Sequence, residues 1–161
     1  MSNRSTPSDL TRRGAAAGLA AAMVQGGGLA RAAPGPEPRR IVSLNPCLDA
    51  ILVQVADRGQ VAALSHYSHY PDSSSLPDLG AGYAFTYESA EEVVALRPDL
   101  VLAARHTAAA TRAALRTLGA STELFGVPST IDESLEQVTR IAALVRRPAR
   151  GEALAGRIRA A

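Results

Sequence analysis

The chain has 161 residues, of which 47% are hydrophobic and 20% charged, a composition that allows one globular domain and excludes a disordered tail or a collagen-like chain. Its 17 basic residues are all arginine, and the formal net charge is +2 at pH 7. Residues 1–32 hold four of these arginines against one aspartate, so residues 33–161 carry about one net negative charge. The sequence therefore offers no basic face and predicts no nucleic-acid partner.

Residues 1–32 have the pattern of an export signal. A polar, positively charged start precedes the apolar stretch GAAAGLAAAMV, and small residues follow up to Ala32. Arg12 and Arg13 stand before the apolar stretch and resemble a twin-arginine signal, which predicts a periplasmic protein exported by the Tat route. The alternative is a disordered Ala/Gly arm of a cytosolic protein. The apolar run is too short to span a bilayer, so no membrane insertion is expected.

Beyond the signal, residues 33–38 are predicted to form a stiff, extended, proline-rich linker. Residues 39–161 then alternate short apolar runs, typical of strands, with segments of helical period. Helix starts are marked by Asn45, a capping residue followed by proline, and by capping boxes at 89–92 and 130–133. The predicted strands are 40–44, 61–64, 99–104 and 121–125, and the predicted helices start near 46, 89, 108, 130 and 149.

Strands separated by helices predict an α/β fold, here a single Rossmann-like lobe with a mostly parallel sheet flanked by helices. Ligands of such sheets bind at the carboxyl ends of the strands, and all three histidines of the chain fall there, beside two tyrosines. The residues predicted to bind a ligand are Asn45, Pro46 and Cys47 after the first strand, His66, Tyr67, Ser68, His69 and Tyr70 after the second, and Arg105 and His106 after the third.

Three kinds of site fit these side chains: a metal or haem ligand set, a polar wall for a bulky organic ligand, and an active site. Imidazole suits transition metals, and a tyrosine phenolate suits ferric iron and haem. His66, His69 and His106 are therefore candidate metal ligands, with the identity of any metal left open. Their spacing is compatible with chelation but does not diagnose it, and solvated loop histidines are the structural alternative.

An enzyme is disfavoured by the motifs that the sequence lacks. It contains neither GxSxG nor GxxxxGK, and Gly80-Ala81-Gly82 lacks the third glycine of a dinucleotide fingerprint. Cys47 and His106 could act as nucleophile and base, but no third group orients them.

Cys47 is the only cysteine, so no internal disulfide forms, and it does not stand at the signal cleavage point, where a lipid anchor would attach. It is expected to be a small buried residue.

Five segments of the chain resemble, in order, the N-terminal lobe of periplasmic binding proteins for iron–siderophore, haem and cobalamin uptake. They are RIVSLNPCLDAIL, HYSHYP, LPDLGAG, SAEEVVALRPDLVLA and LRTLGASTELFGVPSTIDESLEQVTRIAALV, and together they cover about residues 39–161. The resemblance implies the solute-binding component of an ABC importer, which clamps its ligand between two α/β lobes joined by a bridging helix and performs no chemistry. It implies no intrinsic cofactor, a bound cobalamin, haem or ferric siderophore, and an inner-membrane ABC permease as partner.

The resemblance also implies a role for Glu91, because an acidic residue on each lobe of this family docks on arginines of the permease. An ordinary first-turn glutamate, favoured by the helix dipole, is the alternative. The family has a second lobe of similar size, whereas this chain ends where the bridging helix should start, so weak binding and self-association through an apolar rim are expected. Two other functions stay open: a periplasmic hydrolase or redox fragment that uses Cys47 and His106, and a degenerate lobe that binds nothing.

Overall fold

The computed structural model describes residues 36–70, 78 and 80–161. The predicted export signal, residues 1–32, and the first half of the predicted linker lie outside these residues. The described part of the chain forms one compact unit. None of its helices is long and apolar enough to cross a membrane.

A single parallel sheet organises the lobe. Its strands are β1 Ile41–Ser43, β2 Val61–Ser65, β3 Phe85–Thr86, β4 Leu100–Ala104 and β5 Thr122–Phe125. All neighbours pair in parallel, in the spatial order β3-β2-β1-β4-β5, so the carboxyl ends of the strands share one edge. The predicted α/β sheet is confirmed. The sequence missed β3 because this strand has two residues, too few for a recognisable period.

Five helices connect and cover the strands, and each begins within about one residue of its predicted start. They are α1 Pro46–Val55, α2 Ala90–Ala95, α3 Ala109–Thr117, α4 Ile131–Leu144 and α5 Pro148–Ala160. Asn45 caps α1, since its Oδ1 accepts hydrogen bonds from the N–H groups of Cys47 at 3.0 Å and Leu48 at 3.4 Å. Short 3-10 turns, Arg58–Gln60 and His66–His69, precede and follow β2.

The core lies on both faces of the sheet, because successive strand residues point in opposite directions. On one face, Ile41 and Leu102 pack against the buried sides of α1, α4 and α5. On the other face, Val42 packs with Val93 of α2 and Leu115 of α3. The apolar periods that predicted α1 and α4 therefore mark the sides of these helices that face the sheet.

In each of the two predicted capping boxes, only one of the two expected hydrogen bonds forms, the one that the side chain of the cap residue accepts. Ser89 Oγ and Thr130 Oγ1 accept hydrogen bonds from the N–H groups of Glu92 and Glu133, at 3.2 and 3.1 Å. The two glutamate side chains, however, reach past the cap residue. Glu92 Oε2 accepts from the Tyr87 N–H at 2.8 Å, and Glu133 Oε2 accepts from the residue before its cap at 2.5 Å. These bonds fasten the loops that enter α2 and α4 to the helix starts.

The end of the predicted linker packs on the lobe. Glu37 forms an ion pair with Arg147 at 2.6 Å, and the Pro38 carbonyl accepts a hydrogen bond from the buried Gln60 side chain at 2.9 Å. Arg147 also pairs with Asp57. These contacts lie at the amino edge of the sheet, opposite the predicted binding residues, and they join the start of the lobe to the turn between α4 and α5.

Candidate ligand-binding site

Six ring side chains meet where β2 and β3 end. The ring centroid of His66 lies 3.9 Å from that of Tyr67 and 5.0 Å from that of Tyr87, and the His69 centroid lies 4.6 Å from that of Phe85. The phenyl and phenol rings are 43% to 60% exposed, so packing within the lobe does not account for them. They present apolar faces on which a ligand can lie. We call these six side chains the aromatic cluster: His66, Tyr67, His69, Tyr70, Phe85 and Tyr87.

A buried carboxylate beneath the aromatic cluster holds the His66–His69 turn in place. Asp49 of α1 is 2% exposed, and its Oδ2 accepts hydrogen bonds from the Ser65 N–H at 3.1 Å and from the Ser65 and Ser68 hydroxyls, both at 2.6 Å. Burial raises the pKa of Asp49 to about 6, and these hydrogen bonds act in the opposite direction. Ser68, predicted as a ligand contact, is itself buried and serves as an anchor of the turn.

A close backbone approach also holds this turn. A Cβ added at Gly80 would overlap the carbonyl oxygen of Ser68, so glycine alone fits there without a backbone shift. Gly80 therefore has a packing role in this lobe.

Glu88 follows β3 in a strained conformation, with a φ of +68°, in the left-handed region that non-glycine residues avoid. Its N–H donates to Thr86 Oγ1 at 3.1 Å, and the Thr86 hydroxyl donates to Glu92 Oε2 at 2.9 Å. Glu88 Oε1 is buried and has no hydrogen-bond partner among the described residues. Burial raises the pKa of Glu88, while His66 and His106 oppose the rise, so this carboxylate lies within electrostatic reach of both histidines.

Asn45 and His106 meet at the centre of the edge, where Asn45 Nδ2 lies 3.5 Å from His106 Nε2. Cys47 lines the same small cavity, of about 60 Å³. The expectation of a buried thiol is wrong, because Cys47 is exposed. Leu48 and Leu52 occupy the buried face of α1, and Cys47, in the first turn, lies outside that face.

A larger cavity of about 380 Å³ opens beside the first, between the loop after β5 and α4. Arg105 and Arg140 line it together with Glu133 and Glu136. Arg105 is exposed and lies close to Gly126, since a Cβ added there would be 3.9 Å from Arg105 Nε. The guanidinium predicted to contact a ligand therefore stands on the β4–β5 half of the edge, whereas the aromatic cluster stands on the β2–β3 half.

The candidate metal ligands are not assembled into a metal site. Within residues 36–70, 78 and 80–161, no three His, Cys, Asp or Glu side chains are placed to hold a metal ion. His66 and His69 each contact an aromatic ring, and His106 lies beside an asparagine. The nearby Tyr70 phenol raises the pKa of Tyr87, so Tyr87 is a neutral phenol at pH 7.

Sequence reasoning missed Phe85, Tyr87 and Glu88. All ten predicted contacts lie at the carboxyl edge of the sheet, including Pro46, the half-buried first residue of α1. The three missed residues belong to β3 or follow it directly, so they were lost with that strand. Their signal was the alternation of aromatic and polar residues in Phe85-Thr86-Tyr87, which is typical of an edge strand with one exposed face.

The comparisons agree with this architecture. The family model described as periplasmic binding protein matches residues 41–161, a range that includes all the strands and helices described above. A cobalamin-binding protein of Halobacterium salinarum is 32% identical over 108 residues, which are 67% of this chain and 29% of that protein. The chain thus spans less than a third of the length of this curated relative.

Solved structures of similar fold are about twice as long as the matched region. The vitamin B12 binding protein BtuF of Vibrio cholerae has a TM-score of 0.62 at 26% identity, covering 77% of this chain and 48% of that one. The haem-binding protein RhuT of Roseiflexus sp. RS-1 has a TM-score of 0.64 at 26% identity, covering 76% and 47%. Since the family model matches three quarters of the sequence, the chain belongs to the periplasmic binding protein family.

Proposed function

We propose that the chain is the ligand-binding N-terminal lobe of an exported receptor that delivers cobalamin or an iron chelate to an ABC importer. The observation that carries the proposal is the aromatic cluster, whose exposed rings lie at the carboxyl edge of a parallel sheet. This edge is where α/β folds bind ligands. Relatives named for binding cobalamin and haem support the choice of a ring-shaped or chelated ligand.

The shape of the edge favours a large, flat ligand. Tyr67, Tyr70, Phe85 and Tyr87 are all about half exposed, and together they offer more ring surface than a small solute could cover. Among the residues that the structure describes, the cluster forms one open wall and does not enclose a ligand. We therefore infer that it contacts one side of the ligand, and that a second lobe would cover the other side, as the two-lobed architecture implies.

We further propose that Glu91 docks on the permease. It is exposed in the first turn of α2. The neighbouring Glu92 differs, because its carboxylate is engaged by the Tyr87 N–H and the Thr86 hydroxyl. Glu92 thus shapes the binding edge. Both glutamates are exposed, but only the Glu91 carboxylate forms no hydrogen bond or ion pair with a described residue, so it is the one available to cationic side chains of a partner.

Thermal unfolding of the chain with cyanocobalamin, haemin and a ferric siderophore tests the proposed function. A ligand that binds only the folded state stabilises it by RT ln(1 + [L]/Kd), about 2.7 kcal/mol when the ligand is at 100 times its Kd. We expect the Tm to rise by several degrees with one of these ligands, because a shift of that size follows from such a free energy in a domain this small.

Two variants show whether the aromatic cluster is responsible for the shift. Tyr87→Ala removes a ring that is 60% exposed and should abolish most of the ligand-induced shift while changing the ligand-free Tm little. Leu118→Ala is the matched control, because Leu118 is 57% exposed at the end of α3, on the opposite edge of the sheet. If no ligand raises the Tm of the wild-type chain, the proposal is wrong and a lobe that binds nothing is favoured.

A further inference from the structure

The β2–β3 half of the ligand-binding edge has no arginine among the described residues 61–96. The described residues between 61 and 96 include four acids and no arginine, and the whole chain has no lysine. Haem carries two propionates, and many ferric siderophores are anionic. These anionic groups would meet no arginine of residues 61–96 beside the aromatic cluster. The four acids are Asp78, Glu88, Glu91 and Glu92.

Four buried side-chain atoms have no hydrogen-bond partner among the described residues: Ser43 Oγ, Asp49 Oδ1 and two atoms beside the aromatic cluster. One is Oε1 of Glu88, and the other is Nδ1 of His66. Glu88 directly follows Tyr87, and its strained backbone is held by the Thr86 hydroxyl. Unpaired buried groups are rare and costly in native proteins, so a site that holds them is suited to a ligand that supplies the missing hydrogen-bond partners.

We infer that Glu88 and His66 select a neutral ring that bears carboxamide side chains, a corrinoid, over haem or an anionic ferric chelate; this inference rests on the proposed function. A carboxamide N–H donates to Glu88 Oε1, and another donates to His66 Nδ1 in the tautomer protonated at Nε2. A propionate has no N–H and would place a second negative charge beside the Glu88 carboxylate. Selection thus combines attraction of the amide with repulsion of the acid.

The arginine among the predicted contacts lies on the other half of the edge, since Arg105 packs near Gly126. The charged groups that lower the pKa of Glu88 are His66 and His106, and no arginine is among them. Stacking and amide recognition, by contrast, are available together on the β2–β3 half.

Titration calorimetry of the full chain with cyanocobalamin and with haemin tests this selectivity. The wild-type chain should bind cyanocobalamin more tightly than haemin. Glu88→Gln keeps the size of the side chain but removes its charge, so it should weaken cyanocobalamin binding by about three- to tenfold and strengthen haemin binding. The matched control is Glu152→Gln, which removes an exposed charge on α5 and should change neither affinity.

The opposite direction of the two changes separates recognition from damage to the fold, because a misfolded variant would lose affinity for both ligands. The inference is overturned if Glu88→Gln weakens both ligands equally, or if it changes neither affinity. It is also overturned if the wild-type chain prefers haemin, although the proposed function would then stand. If the wild-type chain binds neither ligand nor a ferric siderophore, the proposed function fails and the inference fails with it.

Discussion

Asp49 shows how one side chain can position a binding surface without belonging to it. Its buried carboxylate gathers the Ser65 N–H and the hydroxyls of Ser65 and Ser68, so the turn that carries His66 and Tyr67 is fixed to α1. Burying a carboxylate disfavours its charged form, and that cost explains why the pKa of Asp49 is raised to about 6. Holding the turn with this carboxylate therefore lowers the unfolding free energy as the pH rises.

Asp49→Asn should remove this pH dependence. The pKa of Asp49 is higher in the folded chain than in the unfolded chain, so its contribution to stability is full below about pH 4 and is lost as the pH rises through about 6. A shift of this size corresponds to about 3 kcal/mol of unfolding free energy. We expect the wild-type chain to lose about that much relative to the variant between pH 4 and pH 7, measured by urea unfolding at each pH.

The comparison with the variant isolates Asp49 from other titrating groups. Arg147 and Arg150 lower the pKa of Asp57, which gives a dependence of the opposite sign at lower pH. Burial raises the pKa of Glu88, which gives one of the same sign. Both groups are present in both proteins and cancel in the difference. Parallel stability curves for the two proteins between pH 4 and pH 7 would contradict the assignment.

At the scale of elements, the contact between α4 and α5 depends on a glycine. A Cβ at Gly151 would collide with the Cβ of Ala142 and lie 3.6 Å from the Val138 carbonyl oxygen. The missing side chain therefore lets the two helices approach closely. Gly156, one and a half turns further along α5, has no atom within 4 Å of the position that its Cβ would take.

This pair of glycines gives a matched test. Gly151→Ala should lower the unfolding free energy by about 1–2 kcal/mol, because overpacking at the helix contact outweighs the better helix propensity of alanine. Gly156→Ala should raise it by about 0.5–1 kcal/mol, because only the propensity changes. Urea unfolding midpoints measure both. Stabilisation by both substitutions would show that α5 does not pack closely on α4.

At the scale of the whole molecule, the lobe keeps the proposed ligand contacts apart from the proposed docking residue. The aromatic cluster occupies the edge where β2 and β3 end, while Glu91 is exposed in the first turn of α2. Glu92 lies between these regions and ties the loop after β3 to α2. A substitution at Glu91 can therefore alter a partner's contact without changing the ring surfaces.

Glu91→Arg should leave ligand affinity unchanged and reduce uptake by at least about tenfold, because a cation would then face the arginines expected on the permease. Uptake of labelled ligand by cells that depend on this receptor measures the loss, and calorimetry measures the affinity. Glu152→Arg makes the same charge reversal on α5 and should retain uptake. Normal transport with Glu91→Arg would leave Glu91 as a helix-stabilising residue only.

Much of the lobe could be predicted because its signals are local. Asn45 before Pro46 marks a helix start, and the apolar period over α4 marks a buried face. The strand β3 could not be predicted, since two residues carry almost no periodicity and their pairing with β2 is a long-range contact. The loss of β3 also removed Tyr87 and Glu88 from the predicted site.

Sequence was sufficient for the five helices, for four of the five strands and for the edge at which the candidate side chains gather, because periodicity, caps and the geometry of parallel strands depend on near neighbours. The individual roles needed the tertiary structure. Ser68 is buried because Asp49 of α1 lies beneath it, and Cys47 is exposed because the core takes the opposite face of its helix. Glu88 comes near His66 and His106 only after three separate loops converge. Contacts between distant segments carry no local pattern, so the fold alone decided which polar groups were left unpaired for a ligand.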